Sequence, residues 1–259
     1  LSSIRTNFNL SFTEPRLFDT EISAGVDAFN QAQDYLTFDT KTSGGGVRLG
    51  KNITEYESLS LGYRFENVDV KGVTVANTTR FLKNETRTTS RVSPAYVYDS
   101  RDNFLNPSEG WRHVVGFEFA GIGGAKFTRS KYSTTYYHPL FGKLVGAANA
   151  RINFAEGYGG ETLPSFERYF MGGPTSLRGF TIQNIGPKDS SGDPLGGNKS
   201  LILNLETQYP FTKSLRGFLF YDRGNVYGSG PDLSSTSKNF DVGEMRSSVV
   251  AGVRFISPF

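Results

Sequence analysis

The chain of 259 residues has no cysteine, one tryptophan, two histidines and no long apolar run. Lack of cysteine takes disulfides out of the argument but fixes no compartment, because outer-membrane proteins and many soluble ones share it. No stretch approaches the roughly 18 to 20 consecutive apolar residues that carry a helix across a bilayer, so a helical membrane protein is excluded. The opening Leu1-Ser2-Ser3-Ile4-Arg5 does not read as a charged-then-apolar leader. Charge is nearly balanced, 28 Lys and Arg against 25 Asp and Glu. These charges are interspersed, so no basic cluster offers a surface to nucleic acid, and nucleic acid is not an expected partner. His113 and His138 fall in separate alternating segments without metal-ligand spacing, and neither a nucleophile elbow nor a phosphate loop occurs. No enzyme activity, metal or cofactor is expected.

Glycine (30), Phe (22) and Tyr (13) are abundant instead. Aromatics sit inside segments that alternate apolar and polar, the signature of a half-buried strand. Near the start, Ile4, Phe8, Leu10 and Phe12 share one face and Arg5, Asn7, Asn9 and Ser11 the other. Leu59, Leu61, Tyr63 and Phe65 oppose Ser58, Ser60, Arg64 and Glu66, and Leu144, Ala148, Ala150, Ile152 and Phe154 oppose Asn149, Arg151 and Asn153. A soluble sandwich turns the apolar row inward, whereas a membrane barrel turns it to lipid and lines its lumen with the polar row. Alternation alone does not choose between them.

Length and connection size favour the barrel. About eleven segments occur, near 4–13, 20–30, 43–51, 57–67, 89–99, 110–120, 129–138, 143–156, 199–209, 215–226 and 246–256. A strand of about 10 residues, tilted by about 40°, spans on the order of 25 Å of bilayer, whereas soluble strands more often run about five or six residues. Short connections (Glu14 to Asp19, Lys51 to Tyr56, Asn103 to Gly110, Pro139 to Gly142, Pro210 to Lys213) are expected to alternate strictly with long ones, including one of about forty residues between Gly157 and Lys199. Outer-membrane barrels keep this parity, with short turns in the periplasm and long loops outside. On that reading the first segment begins outside and the eleventh ends in the periplasm, so an odd number of strands is expected to be missing on the N-terminal side. The final Ile256-Ser257-Pro258-Phe259 reads as a turn into a further hairpin. The expected fold is all-β: an antiparallel transmembrane β-barrel over residues 1–259, about 11 strands present, truncated at both ends, with an extracellular loop over 157–199 folded into the lumen.

That loop carries Tyr169-Phe170-Met171-Gly172-Gly173-Pro174-Thr175-Ser176-Leu177-Arg178-Gly179-Phe180, then Ile185-Gly186-Pro187 and Gly196-Gly197-Asn198. Here the chain resembles the BamA and TamA superfamily of outer-membrane insertases, whose sixth loop bears an Arg-Gly-Phe motif in this setting; the BamA branch fits best. Tyr98-Asp99-Ser100-Arg101-Asp102, Pro107 to Arg112 and Phe220 to Tyr227 extend the likeness to essentially the whole chain. The resemblance implies strands four to fourteen of a sixteen-stranded parent barrel, with POTRA domains and the seam between first and last strands absent from this stretch. It also implies insertion of β-barrel clients into the bacterial outer membrane without nucleotide energy. Outer-membrane lipids, unfolded client proteins and accessory lipoproteins reached through POTRA domains are the implied partners. A TamA-like or two-partner-secretion transporter is the alternative within the superfamily. A passive porin and a barrel-anchored enzyme such as an esterase are the alternatives outside it.

Ser214-Leu215-Arg216-Gly217-Phe218 repeats Ser176 to Phe180 letter for letter, yet opens an alternating strand and lacks the preceding Gly-Gly. It is expected to be coincidental strand sequence. An arginine on a loop inside a polar lumen calls for carboxylates, and Glu206 and Asp222 lie on polar rows expected to face inward. The resemblance pairs Arg178 with these positions, making Glu206, Phe220 and Asp222 its expected lumen partners. Gly172, Gly173 and Gly179 are expected to permit a tight turn at positive φ, and with Leu177 and Phe180 they complete the motif.

Overall fold

The computed structural model describes residues 5–74, 83–212, 214–228 and 240–255. They form one antiparallel sheet of eleven strands in chain order. The strands are β1 (Arg5–Glu14), β2 (Ile22–Asp34), β3 (Asp39–Asn52), β4 (Glu57–Lys71), β5 (Glu85–Asp99), β6 (Gly110–Ala120), β7 (Phe127–Phe141), β8 (Leu144–Gly157), β9 (Lys199–Pro210), β10 (Leu215–Tyr227) and β11 (Arg246–Phe255). All eleven expected segments are therefore strands. Leu1 to Ile4, Lys213 and the expected hairpin entry Ile256 to Phe259 lie outside the described residues.

The alternating rows face as a membrane barrel requires. Phe8, Leu10 and Phe12 are 66, 67 and 64% exposed, and Leu59, Leu61, Tyr63 and Phe65 form a second exposed apolar row. On β4 the opposite row holds Glu66, Val68 and Val70, all buried. In water such outward rows would be an aggregation surface; against lipid chains they are the solvated side.

Strict alternation of connection size does not hold. The β2–β3 connection is 35–38, shorter than the connection at 15–21, and 121–126 is shorter than 100–109 at the opposite end. At the β2–β3 connection the cause is ladder pairing that outlasts the apolar pattern. Gln33 pairs with Thr40 and Asp34 with Asp39, polar residues that give no alternation signal but still extend the antiparallel ladder. Likewise β7 runs through to Phe141 with a bulge between Pro139 and Phe141, so Pro139 to Phe141 belong to the strand rather than to the turn. Within β5, Pro94 has no N–H to give, and the β5–β6 register passes from Val92↔Phe119 to Ala95↔Gly116 without pairing Ser93 or Pro94.

The long connection 158–198 lies on the polar face. Three buried apolar clusters occur among the described residues, and the loop contributes to each. Leu195 joins Phe38, Val68 and Val70; Leu163 joins Ala120, Ala125, Phe127 and Ala155; Met171, Leu177 and Ile185 join Ile202 and Val226. Its polar groups also reach the β2–β3 connection, with the Thr37 hydroxyl donating to the Pro194 carbonyl at 3.2 Å and the Leu36 N–H to Gln183 Oε1 at 3.2 Å. Since the loop touches the β2–β3 connection and β4 as well as β9–β11, the sheet must curl around it. Residues that would have no hydrophobic core as a bare sheet acquire one by packing on this insert.

Candidate functional site

The motif segment is a closed turn. The Ser176 hydroxyl accepts from the Gly172 N–H at 2.9 Å and donates to the Gly172 carbonyl at 3.0 Å, while the Gly173 N–H donates to the Phe180 carbonyl at 3.0 Å. Gly172, Gly173 and Gly179 have φ of +114°, +95° and +85°. At Gly172 a Cβ would also collide with the Thr181 carbonyl oxygen, so both conformation and space demand glycine there. Leu177 is fully buried in the Met171–Val226 cluster, with Phe180 packed at its edge. Burying Leu177 turns the next side chain, Arg178, toward the wall.

That wall is β9 and β10. Their register sets Glu206 opposite Phe220 and Asn204 opposite Asp222, so the four alternate on one face. The Arg178 guanidinium binds Asp222 bidentately, Nε to Oδ2 and Nη2 to Oδ1, each at 2.7 Å, and Nη1 donates to Glu206 Oε2 at 2.6 Å. The Arg178 backbone N–H donates to Asp222 Oδ2 at 3.1 Å, and its carbonyl accepts from the Ser248 hydroxyl. The guanidinium carbon sits 3.3 Å above the centre of the Phe220 ring. Asp222 is fully buried and is further held by Asn204 Nδ2 at 2.8 Å; Glu206 also accepts from Gln208 Nε2 at 2.8 Å and pairs with Arg254 at 3.2 Å. A carboxylate at zero exposure is tolerable only with its lone pairs filled, and here a planar fork, an amide and a backbone N–H fill them. All the sequence-predicted partners, Glu206, Phe220 and Asp222, thus surround Arg178. The second pentapeptide opens β10, with Ser214 just before the strand, and there Arg216 meets only Gln208 Oε1, at 3.1 Å, among the described hydrogen bonds.

A second ionic seat escaped the sequence reading. Glu167, in the short 3-10 turn Ser165–Glu167, is 2% exposed. Its Oε2 accepts from Arg129 Nη1 of β7 at 2.6 Å, and its Oε1 from Arg91 Nη2 of β5 at 2.6 Å. Arg91 also reaches Glu118 of β6 at 3.0 Å and Glu66 of β4; Arg64 pairs with Glu66 at 2.6 Å, and Lys131 with Glu118. Several inward cations on β5 and β7 with fewer carboxylates were the available signal, since buried guanidinium groups require partners. Nothing in Glu167's own neighbourhood of sequence announced it.

Comparison with known proteins bears on what this loop and wall belong to. The Omp85 superfamily domain matches residues 1–259. The chain is 30% identical to the outer membrane protein assembly factor BamA of Nitratidesulfovibrio vulgaris, over 99% of this chain and 33% of that protein. It is 31% identical to BamA of Neorickettsia risticii, over 100% of this chain and 36% of that protein. It therefore spans about a third of the length of these curated relatives. Among solved structures, BamA from Haemophilus ducreyi lacking POTRA domains 1–3 superposes with a TM-score of 0.82 at 22% identity, over 98% of this chain and 56% of that one.

Proposed function

The chain belongs to the Omp85 superfamily of outer-membrane β-barrel proteins, and from that premise we propose that it builds the wall and inner loop of a barrel that inserts β-barrel clients into the bacterial outer membrane. In this reading 158–198 is an extracellular loop folded back into the lumen, and the Arg178 seat on Asp222, Glu206 and Phe220 locks it there. The observation that carries the reading is that seat, inside a chain whose relatives are named assembly factors. A guanidinium clamped by two carboxylates and an aromatic face gives the loop one position, whereas a static pore needs only an open lumen.

The work asked of such a protein is physical rather than chemical: lowering the barrier for a client strand to leave water and enter lipid with its backbone paired. Nothing in the Arg178 geometry needs a nucleophile or a nucleotide. Outer-membrane lipids against the exposed apolar rows, unfolded client barrels, and accessory lipoproteins recruited through POTRA domains are the partners of this reading. The test uses the full-length protein in liposomes. It should speed the appearance of folded, protease-resistant client barrels over empty liposomes, and Arg178→Ala should abolish that gain. Stable ion conductance with no gain in client folding would identify a porin and overturn the reading.

A further inference from the structure

The Arg178 and Glu167 seats of the loop have opposite polarity, and a further loop acid, Glu161, pairs with Arg87 of β5 at 3.3 Å. On the β9–β10 side the wall supplies carboxylates and the loop the cation, Arg178. On the β4–β7 side the wall supplies Arg64, Arg91, Arg129 and Lys131 against Glu66 and Glu118, and the loop brings the third carboxylate, Glu167. The seats also differ in what they join. Arg178 binds β9, the strand into which the loop itself runs, and the adjacent β10, so it tethers the loop to neighbouring sequence. Glu167 binds β5 and β7, which are not paired with each other because β6 lies between them.

We propose that Glu167 is a positioning residue that clasps β5 to β7 across β6 on the concave face and thereby sets how tightly the β1–β7 part of the sheet wraps toward β9–β11. A bridge between next-but-one strands fixes a chord of the arc, and a fixed chord fixes curvature. Glu167 is well placed to hold it. Phe166 packs against the Phe38–Val70 cluster, Leu163 belongs to the Ala120–Phe127 cluster, and the Glu167 N–H donates to the Pro164 carbonyl at 3.1 Å, so its backbone is set on both sides. The opposed polarities also fix direction. A loop docked in reverse would bring Glu167 to Asp222 and Arg178 to Arg91, like charges in a site of low exposure.

The test reads geometry rather than client insertion, so its failure is separate from failure of the functional reading. These 259 residues hold no cysteine, so with any cysteine elsewhere in the full-length protein replaced by serine, spin labels at Leu61→Cys on β4 and Leu203→Cys on β9, both on exposed outer rows, report the span of the arc in lipid nanodiscs. Glu167→Gln should lengthen and broaden that distance distribution and lower the temperature at which the barrel loses its folded mobility by on the order of 10 °C. Arg129→Gln should do the same, and the double variant should go no further than the larger single one. Should Glu167→Gln not fold, Glu167→Asp, which keeps the charge, should fold, and Arg129→Gln should still broaden the distribution. Wild-type distances in Glu167→Gln, or equal failure of Glu167→Asp, would overturn the proposal.

Discussion

Ser176 to Phe180 and Ser214 to Phe218 are the same five residues in two surroundings. In the first, arginine follows a buried leucine on a turn closed by glycines, and its guanidinium reaches Asp222, Glu206 and the Phe220 ring. In the second, the arginine is one inward rung of β10, and its described hydrogen bond is to the Gln208 amide. The pair shows that five letters carry no function by themselves. What differs is the backbone that delivers the side chain and the carboxylates that await it.

Variants of the two copies can break or sharpen this contrast. The largest effect is expected from Arg178→Ala, which strands the fully buried Asp222; losing one partner of a buried pair costs about 3–5 kcal/mol. The full-length variant should melt at lower temperature and fail to complement depletion in cells, whereas Arg216→Ala should stay within about 1 kcal/mol. Equal losses from both would erase the distinction. Arg178→Lys comes next. It keeps the charge but loses the two-pronged grip, and should recover only part of the stability, leaving a deficit on the order of 1–3 kcal/mol in the same melt. Smaller again is Gly179→Ala, where φ of +85° and a Cβ lying 3.3 Å from Ser248 Cβ imply about 1–2 kcal/mol. The matching Gly217→Ala meets only the ring of exposed Phe211 and should be near neutral.

The smallest effect lies outside both copies and gives the contrast its baseline. Burial alone would raise the Asp102 carboxyl, but the Ser108 hydroxyl and the N–H groups of Ser108 and Glu109 outweigh it and hold it below its ordinary value. A lowered carboxyl stabilises the folded turn above its unfolded pKa, and that contribution disappears as pH falls through the folded one. Acid titration below about pH 4 should therefore loosen the 100–109 turn, seen as faster amide exchange at Ser108 and Glu109, and Asp102→Ala should remove that pH dependence.

Much of the fold could be read from one face of each strand. Phe8, Leu10 and Phe12 announce β1, and Leu59 to Phe65 announce β4, because side-chain alternation follows from backbone geometry alone. The signal ends where the apolar rows end: the hairpin arms at Gln33 and Thr40 are polar and carry no alternation to mark them as strand. At the site, Arg178, Asp222 and Glu206 stood out through a motif and two inward carboxylates. Glu167 stood out through nothing local, since its partners on β5 and β7 are 76 and 38 positions away.

By itself the sequence determined the strands, the face each turns to lipid, and the glycines that let the 158–198 loop turn back. These follow from short-range sterics and a period of two, which any stretch of chain carries within itself. Only the tertiary structure decided which of two identical pentapeptides is clamped, and that the same loop presents an acid to β5 and β7. Ionic seats are made of groups distant in sequence, and their strength depends on burial and geometry that exist only once the sheet has curled around the loop.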